Sequence, residues 1–233
     1  KISGKGDVLF QNKIDKIVYE IHQKDNEVKF DTKLKITNNA FQINLLDFKK
    51  DEKSELDLNF IGKKDIKGKL VFSEIYFKEK NNVFSIKNLI LSNNNKIDEI
   101  GNININYDDK KNFKNDLKLI KQSNNYLVSG NSFNINKIID DLLDTENNKK
   151  IRIFNKNFKI IFDVEKIYLD KDNIINDLTG FLFLNKNEIS ELSLESKFSN
   201  NKNIKFTIKD NGSEKITTLY SYKAKPFVNR YKF

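Results

Sequence analysis

The chain has no cysteine, no methionine and no tryptophan, and only one proline and one histidine, among 233 residues. Without cysteine there is no disulfide framework, no thiolate zinc site and no cysteine nucleophile. Without methionine, a chain that begins Lys1-Ile2-Ser3-Gly4 reads as a piece or processed product of a longer protein, with more sequence expected on both sides. No run of 18 apolar residues exists, so no transmembrane helix is encoded within this stretch. No signal peptide is visible either. His22, alone, makes neither a histidine-rich metal site nor, without a Gly-x-Ser-x-Gly elbow, a Ser-His-Asp nucleophile. It is expected on the wet face of a strand. Phosphate-cradling glycine loops are also absent, and Gly4-Lys5-Gly6 marks at most a supple strand or bulge. These absences argue against an enzyme and call for no cofactor and no metal.

Arginine is nearly missing. Arg152 and Arg230 stand against 40 lysines, in a chain of net charge +9. Nucleic-acid surfaces favour the guanidinium fork for phosphates and base edges. Here lysine is spread along the whole chain and alternates with acids, so no nucleic-acid partner is expected and the charge reads as a solvated surface. Alanine occurs only at Ala40 and Ala224, whereas Asn, Lys, Ile and Phe abound, as an AT-rich coding sequence would produce.

What is present fills a core. There are 19 Phe and 8 Tyr, with hydrophobic residues at 38%, which is unlike a disordered chain. The apolar residues recur with period two. Val28, Phe30, Thr32, Leu34 and Ile36 alternate with Lys29, Asp31, Lys33 and Lys35, the pattern of a strand with one greasy and one charged face. The same alternation recurs at Phe41-Ile43-Leu45, Leu56-Leu58-Phe60, Ile66-Gly68-Leu70-Phe72, Ile103-Ile105-Tyr107, Leu117-Leu119 and Tyr126-Val128. Later it recurs at Phe158-Ile160-Phe162-Val164, Leu182-Leu184, Leu192-Leu194 and Ile204-Phe206-Ile208. Asn, Asp and Gly clusters punctuate these runs and suit tight hairpins. The reading is a mostly β chain, a long antiparallel meander forming a curled, groove-like sheet.

One segment departs from period two. From Ser132 to Asp144, Ile135, Ile138, Ile139, Leu142 and Leu143 fall at helical spacing, predicting a short helix near 132–144 capped by Asn131, Ser132 or Asn134. A second helix is expected to begin at Pro226. The expected organisation is a β meander over 1–130, then the helix and further strands of the same sheet over 131–233. The acidic run Asp170 to Asp177 resembles a calcium loop only faintly. Ile175 and Phe181 stand where such a loop needs Gly and Glu, so a polar turn is predicted. Asp140, Asp141 and Asp144 read as the solvated face of the helix.

The stretch Gly130-Asn-Ser-Phe-Asn-Ile-Asn-Lys-Ile-Ile-Asp-Asp-Leu-Leu143, following a run of strands, resembles the Phe-Asn-apolar-Leu-Leu helix of AsmA-like proteins. Asn176-Asp-Leu-Thr-Gly180-Phe-Leu resembles a glycine-bearing strand of that family. Thr217 through Pro226 to Phe233 resembles its passage from a last strand into a short helix. The likeness covers the second half of the chain, and is to the large YhdP/TamB-type branch of the AsmA-like superfamily. It implies a non-enzymatic wall segment of an envelope-spanning lipid conduit, the periplasmic part of an inner-membrane-anchored protein of a Gram-negative bacterium. Phospholipid would be its cargo, and an outer-membrane or periplasmic protein its possible partner. The groove would be lined by Phe30, Leu34, Leu58, Phe60, Leu70, Phe72, Phe158, Phe162, Leu182, Leu192, Leu194 and Phe206. The residues alone leave two rivals open: a ligand-free structural β scaffold, and a module that binds a protein or polysaccharide.

Overall fold

A computed structural model describes residues 1–51, 53–137, 154–185, 188–210, 212, 214–224 and 227. Fourteen strands belong to one mixed sheet that is not closed into a barrel, and two short strands form a separate ribbon. The mostly β reading holds. The chain divides into two compact units, Lys1–Asn112 with Ile153–Asn155, and Phe113–Arg152 with Lys156–Phe233.

The first unit contains β1 (Ile2–Phe10), β2 (Lys13–Lys24), β3 (Glu27–Ile36), β4 (Gln42–Ile43), β5 (Phe48–Lys49), β6 (Leu56–Lys64), β7 (Leu70–Glu79), β8 (Asn82–Leu91) and β9 (Ile97–Asp108). Its main sheet runs β1-β2-β3-β6-β7-β8-β9, every neighbour antiparallel. The tight turns fall on residues that tolerate positive φ, such as Asp25 and Asn95, at 51° and 58°. Two bulges, at Ile61/Gly62 and Ile90/Leu91, shift the register and add local twist.

The alternation at Phe41-Ile43-Leu45 does not form a strand of this sheet, as expected from period two. It forms a ribbon of β4 and β5 joined by a 3₁₀ turn, Asn44–Leu46, inserted between β3 and β6. The reason is packing. Phe41 and Phe48 turn back onto Phe77, and Phe48 also meets Phe84 and Tyr107, with ring centroids 5.1 to 5.9 Å apart. Burial of these rings outweighs the few ladder bonds that so short a strand would make.

The second unit contains β10 (Lys114–Gln122), β11 (Asn125–Asn134), β12 (Phe158–Tyr168), β13 (Ile174–Asn185), β14 (Glu188–Phe198), β15 (Asn203–Asp210) and β16 (Lys215–Ser221), in that spatial order. The meander is broken once, because β11 and β12 are parallel. A parallel pair cannot be joined by a tight hairpin, and 23 residues, 135–157, separate β11 from β12 in the sequence. Ser132 to Asn134, expected to begin the helix, lie in β11. They are held there: Ser132 Oγ donates to the Lys114 carbonyl at 2.7 Å, and the Asn134 backbone N–H donates to Asn115 Oδ1 at 2.8 Å. Asn134 Oδ1 then accepts from the Asn136 N–H at 3.0 Å and turns the chain out of the strand. Asn136 and Lys137 are helical, and the rest of the 132–144 helix, from 138, lies outside the described residues; of the helix expected at Pro226 only Phe227 is described, and it is helical. The acidic run is a polar hairpin turn, in which Asp170 Oδ1 accepts from the N–H groups of Asp172 and Asn173 at 2.8 Å.

Candidate functional site

In the first unit the register aligns apolar residues into rows across the strands. One row reads Ile21, Phe30, Gly62, Phe72, Leu89, Ile100. The next reads Tyr19, Thr32, Phe60, Ile75, Ile86, Ile103, and a third Ile17, Leu34, Leu58, Phe77, Phe84, Ile105. This is what period two dictates when every strand points the same parity inward. Gly62 is needed in its row, because a Cβ there would meet the Val71 carbonyl at 2.5 Å and the Phe30 ring at 2.9 Å. Phe30 fills that gap and meets Phe72 and Phe60 edge-on.

The rows differ in how well they are covered. At the Ile36 and Leu56 end the β4–β5 insertion closes the face: Ile36, Phe48, Leu56 and Tyr107 are each no more than 1% exposed. Tyr107 donates its hydroxyl to the Leu46 carbonyl at 2.8 Å, and burial pushes its pKa above the ordinary value. Phe30, Leu34, Leu58, Phe60, Leu70 and Phe72 remain half-buried. All six were expected to line a groove, and the register places them on one face of this unit.

Two buried ionic groups anchor the insertion. Asp15 Oδ1 accepts from the Thr37 and Asn38 N–H groups, both at 2.8 Å, and Oδ2 from Asn39 Nδ2 at 2.7 Å. Burial opposes its charge, but the bonds from Asn38, Asn39 and Thr37 outweigh desolvation and hold the carboxyl below its ordinary range. Lys50 is 1% exposed, and its ammonium donates to the carbonyls of Thr37, Asp51 and Ser54 at 3.2, 3.3 and 2.9 Å. Three donors meet three acceptors, so the charge is buried fully hydrogen-bonded. Both residues looked like ordinary surface charges in the sequence. The available signal was Asp15 at the inward parity of Ile17 and Ile21.

The opposite face of the first unit carries most of its charged residues, with Val18 and Ile61 exposed among them. A shallow depression of about 350 Å³ is lined by Glu20, His22, Lys29, Asp31, Lys63 and Ser73 together with Phe30, Ile61, Gly62 and Val71. His22 is exposed and Nε2 lies 2.5 Å from Glu20 Oε1. The contacts with His22 and Lys1 hold the Glu20 carboxyl below its ordinary value. Ser73 instead donates to the Ile61 carbonyl at 3.1 Å. It stands on β7, three strands from His22 on β2, or roughly 14 Å at sheet spacing. These residues form ion pairs, such as Lys63 with Glu27 at 2.6 Å, rather than a nucleophile–base pair. No group of three or more potential metal ligands occurs among the described residues.

In the second unit a row reads Leu119, Val128, Phe162, Gly180, Leu194, Phe206, Leu219. Its neighbour reads Tyr126, Ile160, Leu182, Leu192, Ile208, Thr217. Phe158, Phe162, Leu182, Leu192, Leu194 and Phe206, the other six expected lining residues, share this face. Phe162, Leu182, Leu194 and Phe206 are half-buried, whereas Phe158 and Leu192 are 8% and 4% exposed and belong to the core. The end of this unit near Val164, Ile167, Ile175 and Phe198 is buried, each 4% exposed or less. No described helix is long and apolar enough to cross a membrane. No protein-family model, curated protein or solved structure matches the chain.

Proposed function

We propose that the chain is a non-enzymatic wall segment of a lipid conduit, in which phospholipid acyl chains lie against the apolar sheet face. One observation carries the reading. Away from the packed ends, Phe30, Leu34, Phe60 and Phe72 in the first unit and Phe162, Leu182, Leu194 and Phe206 in the second are only partly buried, while Leu89, Ile100, Phe158 and Leu192 on the same faces are buried. A soluble protein rarely leaves so regular a greasy surface without something to cover it. An acyl chain on this face keeps about 0.8 kcal/mol per methylene that water would cost it. Because similar rows repeat from strand to strand, a chain can pass along them with little net change in free energy. The resemblance to AsmA-like proteins supports the same reading, and with it a periplasmic, inner-membrane-anchored parent in a Gram-negative bacterium. The packed aromatic cluster around Phe48 favours the rival reading of a ligand-free scaffold, but it covers one end of one unit only.

The test pairs phospholipid transfer between vesicles with a thermal melt for Phe162→Asp. A conduit predicts that transfer fails while the melt moves by a few degrees. If Phe162→Asp instead unfolds the chain, the face is a closed core and the scaffold reading replaces the conduit.

A further inference from the structure

We infer that the first unit selects an anionic phospholipid through Lys64, which sits exposed at the rim of the apolar rows and meets the lipid phosphate. The inference rests on the conduit reading and specifies how the lipid is oriented there. Along β6 the inward positions are Leu56, Leu58, Phe60, Gly62 and then Lys64. In register, Lys64 lies between Val28 on β3 and Leu70 on β7, in a row completed by Leu91 and Ile97. A lysine stem suits this place, since its methylenes lie along apolar neighbours while the ammonium reaches water.

Its charge differs from those of two neighbours. Lys63 pairs with Glu27 at 2.6 Å and Lys69 with Asp98 at 2.7 Å, whereas Lys67, in the turn that follows β6, pairs with no acid among the described residues. The Lys64 side chain is exposed and makes no hydrogen bond or ion pair among the described residues. The other charged side chains at inward positions are Asp15 and Glu79, each 2% exposed at the end closed by the β4–β5 insertion, and Lys13, exposed beyond Asp15. The face therefore differs at its two ends, with Lys64 exposed beside partly buried apolar residues at one and aromatics packed under the insertion at the other.

That asymmetry orients an amphiphile. From Lys64 to Leu58, where the packed floor begins at Phe77, six residues of strand cover roughly 20 Å. One leaflet's acyl chain needs about 15 Å, half the hydrocarbon thickness of a bilayer. A phosphate at Lys64 thus leaves room for its acyl chain against Phe60, Phe72 and Leu58, with the tail ending at the floor.

The experiment measures binding to the 233-residue chain of phosphatidic acid and of diacylglycerol with the same acyl chains, each presented in neutral detergent. The wild-type chain should bind phosphatidic acid about fivefold more tightly, the worth of one lysine beside an anionic head group. Lys64→Gln should abolish that preference and leave diacylglycerol binding unchanged. Lys33→Gln removes the same charge from the polar face and should leave the preference intact. Equal binding of the two lipids by the wild type, or a preference that survives Lys64→Gln, overturns the assignment of Lys64 while the conduit reading stands. Binding of neither lipid overturns both.

Discussion

Replacing Phe48 and Phe60 by alanine, one at a time, separates a packed core from an uncovered face within one unit. Phe48 is 1% exposed and touches three other rings, Phe77, Phe84 and Tyr107. Its removal leaves a cavity under the β4–β5 insertion and should cost about 3–5 kcal/mol. Phe60 is half-buried and meets Phe30 at the edge, with centroids 6.2 Å apart. Full burial of a phenylalanine side chain is worth about 1.5–3 kcal/mol, so half of it gives a loss of about 1 kcal/mol, with no sealed cavity left behind. In a unit of this size each kcal/mol moves the melting temperature by about 4 °C or more. Phe48→Ala should therefore lower the midpoint by more than about 10 °C and Phe60→Ala by about 5 °C. Urea and thermal melts followed by far-ultraviolet circular dichroism read both. If Phe60→Ala costs as much as Phe48→Ala, the face is a closed core and the distinction drawn between the two ends of the rows is wrong.

Two further substitutions test how the scaffold holds its shape. Asp15→Asn places an amide where Asn39 presents its own Nδ2, so it should destabilise the first unit by about 2–4 kcal/mol at neutral pH. Because the Asp15 pKa is lowered on folding, its contribution is complete above the ordinary carboxylate value of 3.8 and is lost as pH falls through the folded value. Stability measured against pH should accordingly lose part of its acid limb in Asp15→Asn, and an unchanged limb would count against the buried ion. Gly180 has φ +135°, and a Cβ there would lie 2.0 Å from the Ser193 carbonyl, so Gly180→Ala should destabilise the second unit by several kcal/mol, and a melt within about 1 kcal/mol of wild type would contradict the close approach of β13 to β14.

Period two made most strands legible, because alternation between Lys and Phe or Ile states both the strand and its two faces. The groove residues expected from it, such as Phe30, Leu34 and Phe162, do share a face within their units, since each hairpin preserves parity from strand to strand. Three features escaped for physical reasons. The segment around Phe41 and Phe48 alternates like a strand, but its apolar residues are satisfied by rings on other strands, which a local pattern does not contain. The parallel pairing of β11 with β12 joins strands 23 residues apart in sequence, which no local alternation encodes. Asp15 and Lys50 look like solvated charges until the backbone groups of Thr37, Asn38 and Ser54 are brought to them. Phe158 and Leu192 carry the same pattern as Phe162, yet they are buried, because coverage is set by what lies above a strand.

Native mass spectrometry of the purified chain, with lipid extraction of the same sample, tests the central claim most directly. A lipid conduit predicts phospholipid retained at a reproducible ratio and displaced when Phe162→Asp places a carboxylate on the face. A lipid-free mass, together with a cooperative melt and no uptake of added phospholipid, would contradict the conduit and leave a structural β scaffold.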